Sequence, residues 1–553
     1  MTLIALLPLD DRPVNYNHPQ YLARVAGVDI SLPPQEFLGN PRCKGRHTEL
    51  VNWLMEVSTK ADALIIALDT LAYGGLIPSR TSDESFQTVL NHLTVLRDLK
   101  QLRPQIKILA FNVIMRISRE DSSEEEKEYW ATYGSQMFRL SCLEHKSILR
   151  EASSNEVAER DTIREQIPDD VYNDYLHLRK RNNAINNAML DWLEDGIFDY
   201  LIFPQDDTSE YGWNVAEARD LHAVLRSRGL IDFATTYPGT DEIGCLLLAR
   251  YICQREGFAP RVWPRYNNVI APTIVTAYED RPIHELLKAH LNPLNGTIAD
   301  SPEHTDIVLY INAPTEKQGI GMYQWLIHRG LGTIREQLPQ EFHHWVSNLE
   351  VDEGFQITRA EINSPCRSIE EFKRALLRSL KSGYQVALAD VAFVNGSDLL
   401  LGEILLQQPE ITRLAGYGGW NTAGNTLGAV LAQAVIHVVT LHADKTERQL
   451  QAQFELLFIH LLDDFIYQAR ERTLCMVEDL PTLGLSPSNT SCLDSKHAAI
   501  IESCVRQRLT QALAEVRKPF IQSGIIREVQ VTNIHLPWHR LFEVGFDVQV
   551  ELN

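Results

Sequence analysis

The sequence predicts an α/β protein built on parallel strands, and three observations lead there. Short apolar runs recur along the first half of the chain. Most of them stop at acidic or other polar residues. Segments with helical spacing lie between most of them. Unbroken apolar runs of this length suit strands covered on both faces, which parallel sheets require. Strand and helix in alternation imply an α/β architecture with right-handed crossovers.

The elements follow in order. Leu3–Leu9 (LIALLPL) runs into Asp10-Asp11-Arg12-Pro13, and Ala63–Leu68 (ALIIAL) runs into Asp69-Thr70 with Tyr73-Gly74-Gly75 close behind. Ile106–Val113 leads to Ile114-Met115-Arg116, Tyr200–Phe203 to Asp206-Asp207, and Ile231–Thr236 to Tyr237-Pro238-Gly239-Thr240-Asp241-Glu242. Between them, Val89, Leu93, Leu96 and Leu99 repeat at helical spacing, and Ala216–Arg228 forms another helical connector. Residues 124–194 are charged and helix-prone, with Pro168 as the clearest break, and read as a helical insertion over one end of the sheet.

Further strands are expected at Asp306–Asn312, Val386–Val394 and Leu414–Trp420, the last leading into an apolar, buried helix. Residues 445–518 read as mainly helical, with a loop near Leu480–Asp494. Glu528–Thr532 and Phe542–Glu551 alternate with period two and read as paired strands.

Two architectures fit. The favoured one is a (β/α)8 barrel-like catalytic domain over residues 1–440, with the insertion at 124–194, followed by a helical region with a C-terminal β-hairpin over 441–553. The alternative is two stacked Rossmann-like α/β domains divided near Gln254–Asn267. The barrel is preferred because polar residues gather where successive strands end, and barrel active sites sit at that face. Open α/β sheets also bind ligands beyond their carboxyl ends, so the expected site is the same either way.

The chain has 553 residues, 44% hydrophobic and 23% charged, and a formal net charge of −21. No basic stripe offsets that charge, so neither nucleic acid nor an anionic membrane surface is an expected partner. A neutral or cationic small molecule fits better, and a homo-oligomer is compatible with the sequence. Eight scattered cysteines (Cys43, Cys142, Cys245, Cys253, Cys366, Cys475, Cys492 and Cys504) contain no CxxC pair and read as reduced thiols in a cytoplasmic protein. MTLIALLPLDDRP lacks a basic leader and is interrupted by Asp10, so it reads as a first strand rather than a signal peptide. No run reaches the roughly eighteen apolar residues that a membrane span needs.

Asp206-Asp207 is the leading catalytic candidate. At a strand end that turns, neighbouring carboxylates can reach one cavity and push each other's pKa apart, so that one keeps its proton. Glycosidic cleavage needs such a pair. The plainer reading is a helix cap beside a solvated aspartate. Asp10, Asp11 and Arg12 are candidate hydroxyl or carboxylate binders, or else an ion pair that stiffens the first loop. Asp69 with its glycines is a second polar strand end, or a turn alone. Asn112 and Arg116 are further binding candidates. For Arg116 and Arg119, internal pairing with Glu120 and Asp121 is the favoured alternative. Tyr211, Trp213, Tyr237 and Trp420 are candidate stacking platforms, with Asn421 beside the last.

GYGGWNTAGNTLG (Gly416–Gly428) matches neither a P-loop nor GxGxxG, so no nucleotide site is expected. There is no HExxH, no paired Cys/His spacing and no G-x-S-x-G elbow. His343-His344 forms no ligand set, and no metal or other cofactor is expected. Asn395-Gly396-Ser397-Asp398 reads as a turn.

LLPLDDRPVN, ALDTLAYGGLIPSR, FPQDDTSEYG and GYGGWNTAGNTLG together resemble the bacterial family catalogued as domain of unknown function 4127, over nearly the whole chain. That resemblance implies no activity. A second, remote one lies in the strand end alone. An apolar strand followed by Asp-Asp resembles barrel glycosidases that cleave N-acetylhexosaminides with help from the substrate's acetamido group. It implies Asp206 as the orienting carboxylate and Asp207 as the general acid. An ordinary pair with Asp10 or Asp11 across the cavity, in inverting geometry, stays open.

The expectation is a cytoplasmic glycoside hydrolase, a glycosidase acting on a small or terminal sugar, with an N-acetylhexosaminide as the candidate substrate. The alternatives are a cation-dependent sugar isomerase or lyase, and a non-catalytic sugar-binding protein.

Overall fold

The computed structural model describes residues 2–41, 43–315, 318–321, 324, 343, 368–442, 445–486 and 493–553. Cys366, Cys492 and His344 lie outside them. The chain divides into two units. The first comprises residues 1–16, 28–248 and 278–281, and the second residues 17–27, 249–277 and 282–553.

The first unit carries a six-stranded parallel sheet. Its strands are β1 (Leu3–Leu7), β2 (Asp29–Ser31), β3 (Ala63–Ala67), β4 (Lys107–Phe111), β5 (Tyr200–Gln205) and β6 (Ala234–Pro238), in the order β2-β1-β3-β4-β5-β6. All residues of β3, β5 and β6 are buried, which is why these strands read as apolar runs rather than alternating ones. One face packs against helices Phe86–Leu93, Val95–Leu102 and Asp169–Glu194 through Val89, Leu93, Leu96, Leu99, Ile185, Met189 and Leu190.

The charged segment after β4 forms three helices, Trp130–Leu149, Ser154–Gln166 and Asp169–Glu194. Pro168 is the N-cap of the third, where a missing N–H costs nothing. The insertion also reaches the chain that leaves the carboxyl end of β4. Tyr175 Oη and Arg179 Nη1 donate to the Arg116 carbonyl, and Arg179 Nη2 donates to that of Met115. Met115 and Ile117 join Trp130, Met137, Leu140, Tyr175 and Trp213 in a second apolar cluster there.

The second unit carries a parallel sheet made of β7 (Arg261–Tyr266), β8 (Thr297–Ile298), β9 (Ile307–Asn312), β11 (Val386–Asp390) and β13 (Gly416–Gly418), in the order β13-β11-β9-β7-β8. A short parallel pair, β10 (Gly319–Ile320) with β12 (Phe393–Val394), stands apart from it. Helix Ala423–Val439 is buried along nearly its whole length, as its composition predicts. The helical run from Glu447 to Thr482 has π-helical hydrogen bonding over Leu461–Glu471 and Cys475–Asp479. β14 (Ile526–His535) and β15 (Gly545–Leu552) pair antiparallel.

The α/β class with parallel sheets is thus as expected. Among the described strands the pairing closes no barrel, and no described helix is long and apolar enough to cross a membrane.

Candidate functional site

The polar residues that follow β1, β3, β4, β5 and β6 meet in the first unit. Strand pairing continues past the formal ends of β4 and β5. Ile114 N–H donates to the Pro204 carbonyl at 2.8 Å, and Asp206 N–H donates to the Ile114 carbonyl at 3.3 Å. This sets Met115-Arg116 beside Asp206-Asp207. Arg116 Nη1 reaches Asp207 Oδ2 at 3.0 Å, Nη2 reaches Glu125 Oε2 at 2.9 Å and Nε reaches Glu126 Oε1 at 3.0 Å.

Arg80 holds the other aspartate. It lies at the end of helix Leu76–Thr81, pairs with Asp206, and reaches Glu125 Oε2 at 2.9 Å. The turn leading to it needs Gly74, which has φ +88° and whose missing Cβ would lie 2.8 Å from the Gly45 nitrogen. Asp69, buried beside this network, accepts the Val113 N–H at 2.8 Å and feels the charges of both Asp206 and Arg80. Five carboxyl groups, those of Asp69, Glu125, Glu126, Asp206 and Asp207, therefore share two guanidinium groups.

That imbalance and the low polarity of the surroundings favour protonation of part of the cluster. Burial, then the Asp206 charge, pushes the Asp207 carboxyl up to about 6, against the pull of Arg116 and Arg80. About a third of the Asp207 side chain (32%) still reaches solvent, so a ligand has access to it. Burial, opposed by Arg116 and Arg80, also raises Glu126. Asp69 is raised further, to about 7, chiefly by burial.

The Asp69 shift has a consequence for stability. Between its ordinary value of 3.8 and about 7, the native state holds a proton that the unfolded chain has lost. A raised acid of this kind makes stability fall as pH climbs through that window. Asp69→Asn keeps an acceptor for Val113 and removes the titration. Urea unfolding from pH 4 to 7.5 should show a shallower decline in the variant; an unchanged slope would contradict the assignment.

A neighbouring network joins the residues that follow β1 and β6. Arg12 donates to Asp10 Oδ2 from Nε at 2.9 Å and from Nη2 at 2.7 Å, and to Asp241 Oδ1 at 2.5 Å, while Asn15 holds Asp10 Oδ1 at 2.9 Å. Asp241 follows β6, and its carboxyl is raised by burial despite Arg12. Tyr278, with φ +64°, accepts the Thr208 N–H at 3.2 Å, and its ring lies 4.9 Å from the Arg119 guanidinium.

The sequence candidates thus separate. Asp10, Arg12, Asp69, Arg116, Asp206 and Asp207 stand in these two networks, with Asp11 part-exposed next to Asp10. Asn112 is turned toward Asn186 of the insertion. Trp213 is packed against Tyr172 and Tyr175, and its indole N–H donates to Glu144. Tyr211 donates to Glu151. Tyr237 is fully buried, at 0% exposure. Trp420 and Asn421 belong to the second unit. Arg116 pairs with Glu125, Glu126 and Asp207 rather than with Glu120 or Asp121. Arg119 donates to the Thr208 carbonyl and stacks on Phe138 and Tyr278.

Arg80, Glu125, Glu126, Asp241 and Tyr278 enter as residues that sequence reasoning had not assigned to the site. Asp241 obeys the same strand-end rule as Asp206 and could have been found by it. Glu125 and Glu126 sit in a charged stretch with no local signal.

The described residues contain no group of three or more His, Cys, Asp or Glu arranged to hold a metal ion. Their six described cysteines are all free thiols. No curated protein and no solved structure matches the chain. Residues 4–547 match one family, and the chain belongs to it: the family described as Protein of unknown function (DUF4127).

Proposed function

We propose that the chain is a glycoside hydrolase acting on a small or terminal sugar, an N-acetylhexosaminide being the first candidate. The observation that carries this reading is the unequal treatment of two adjacent carboxyls. Asp206 is locked to the buried Arg80, while Asp207 is part-exposed and raised to about 6. A carboxyl whose surroundings raise it toward neutral pH is suited to proton donation. Asp207 donates the proton to the leaving glycosidic oxygen. Asp206, fixed by Arg80, orients the substrate or supports positive charge at the anomeric carbon.

Arg116 ties Asp207 to Glu125 and Glu126 and so holds the donor in place. Asp10, Arg12 and Asp241 supply hydrogen-bonding groups for hydroxyls at the same sheet edge. Tyr278, whose hydroxyl feels the Asp207 charge, is the candidate aromatic platform.

The test is release of nitrophenol from a panel of nitrophenyl glycosides, N-acetylhexosaminides included. Turnover of at least one member by the folded protein is expected. No turnover across the panel, with or without added divalent cation, would contradict the proposal.

A further inference from the structure

The second unit contains a buried guanidinium, influenced by Glu543 and Asp463, that makes no direct ion pair with a described carboxylate. Arg472 follows the π-helical segment and is 8% exposed. Nη1 donates to Gln468 Oε1 at 3.1 Å, and the guanidinium carbon lies 5.2 Å from the centre of the Phe542 ring. Among the described residues its Nε–H has no hydrogen-bond partner, and no carboxylate lies within ion-pair distance of it. A buried charge left in this state is costly.

The nearby acids are otherwise engaged. Glu543 is paired with Arg540, whose Nε donates to it at 2.7 Å. Asp464 accepts the Gly419 N–H at 2.8 Å and lies 3.1 Å from His460 Nδ1. Asp463 accepts from Gln468 at 3.2 Å, and burial together with the Asp464 charge drives it toward its neutral form.

A second unsatisfied donor packs on the same ring. Trp420 is 9% exposed, and its ring centre is 5.8 Å from that of Phe542. Its indole N–H is buried and has no partner among the described residues. Trp420 lies two residues past β13 and precedes helix Ala423–Val439, so it stands at the carboxyl end of the sheet and beside the positive end of a long helix dipole. Arg540 adds a second guanidinium, 5.1 Å from Phe542.

Two buried donors, each lacking an acceptor among the described residues, pack on a single aromatic ring. We propose that this part of the second unit is a binding site for a small oxyanion, a carboxylate or a phosphate group, held by Arg472 Nε–H and Trp420 Nε1–H. The proposal does not depend on the glycosidase reading.

The test follows the indole N–H resonances of the full-length protein by ¹H–¹⁵N TROSY, with Trp420 assigned from its loss in Trp420→Phe. Inorganic phosphate and sodium acetate are titrated separately, against sodium chloride at matched ionic strength. A saturable downfield movement of the Trp420 resonance with phosphate or acetate, and none with chloride, is expected. Which of the two acts names the group recognised. In Arg472→Gln the apparent affinity should fall at least about tenfold, and Arg472→Lys should not restore it, since lysine lacks the Nε–H. A Trp420 resonance in the wild-type protein that neither anion moves, or that chloride moves equally, overturns the proposal whatever the variants do.

Discussion

Asp207→Asn should lower kcat/KM on an unactivated glycoside by about 10²–10⁴-fold, the range a positioned general acid contributes. Asparagine matches the shape of aspartate and can still meet Arg116 through its carbonyl oxygen. Loss of the ionisable proton, rather than loss of fold, then dominates. The size of the effect should depend on the leaving group. Nitrophenolate departs without needing a proton, so a nitrophenyl glycoside should suffer far less than an alkyl glycoside. Equal losses on both substrates would instead place Asp207 in binding or positioning. Asp206→Asn should be damaging on both, because the carboxylate acts on the sugar and not on the leaving oxygen.

Arg80→Met should cost about 3–5 kcal/mol of stability, the range for breaking a buried pair by removing one partner. The Arg80 side chain is 1% exposed and lies between Asp206 and Glu125. Without it, two carboxylates face each other in surroundings that punish charge. Urea unfolding at neutral pH measures the loss. Adding Asp206→Asn to Arg80→Met should recover part of it, since the second change removes one stranded charge. A double variant as unstable as the sum of the two single ones would show that the pair is not the source of the effect.

The strands were legible where burial on both faces left an unbroken apolar signature. Ala63–Leu68 became β3 almost unchanged, and Asp306–Asn312 became β9. Ile231–Thr236 slipped to Ala234–Pro238 because Ile231 is exposed in the preceding turn. β7 escaped notice because Pro264 interrupts it. That residue offers no N–H to the ladder, although the strand lies inside its sheet. β2 and β8 have three and two residues and leave no periodic trace.

The site was legible for the residues that directly follow strands, since topology alone collects them at one edge. Arg80 could be quoted within a motif but not placed, because its role depends on two glycines and a short helix that aim it at a strand more than a hundred residues away. Trp213 looks in sequence like part of the Asp206-Asp207 loop. Its environment is fixed instead by the insertion, through Glu144, Tyr172 and Tyr175. Local sequence carries no record of such long-range partners.

The most direct measurement of the central assignment is the pH profile of kcat/KM for the wild-type protein on an alkyl glycoside, whose leaving oxygen needs the proton. Asp207 must hold its proton to donate it, and its carboxyl is raised to about 6. The rate should therefore fall about tenfold per pH unit above that value. A profile that stays flat well into the alkaline range, with the protein still folded, would contradict Asp207 as the acid.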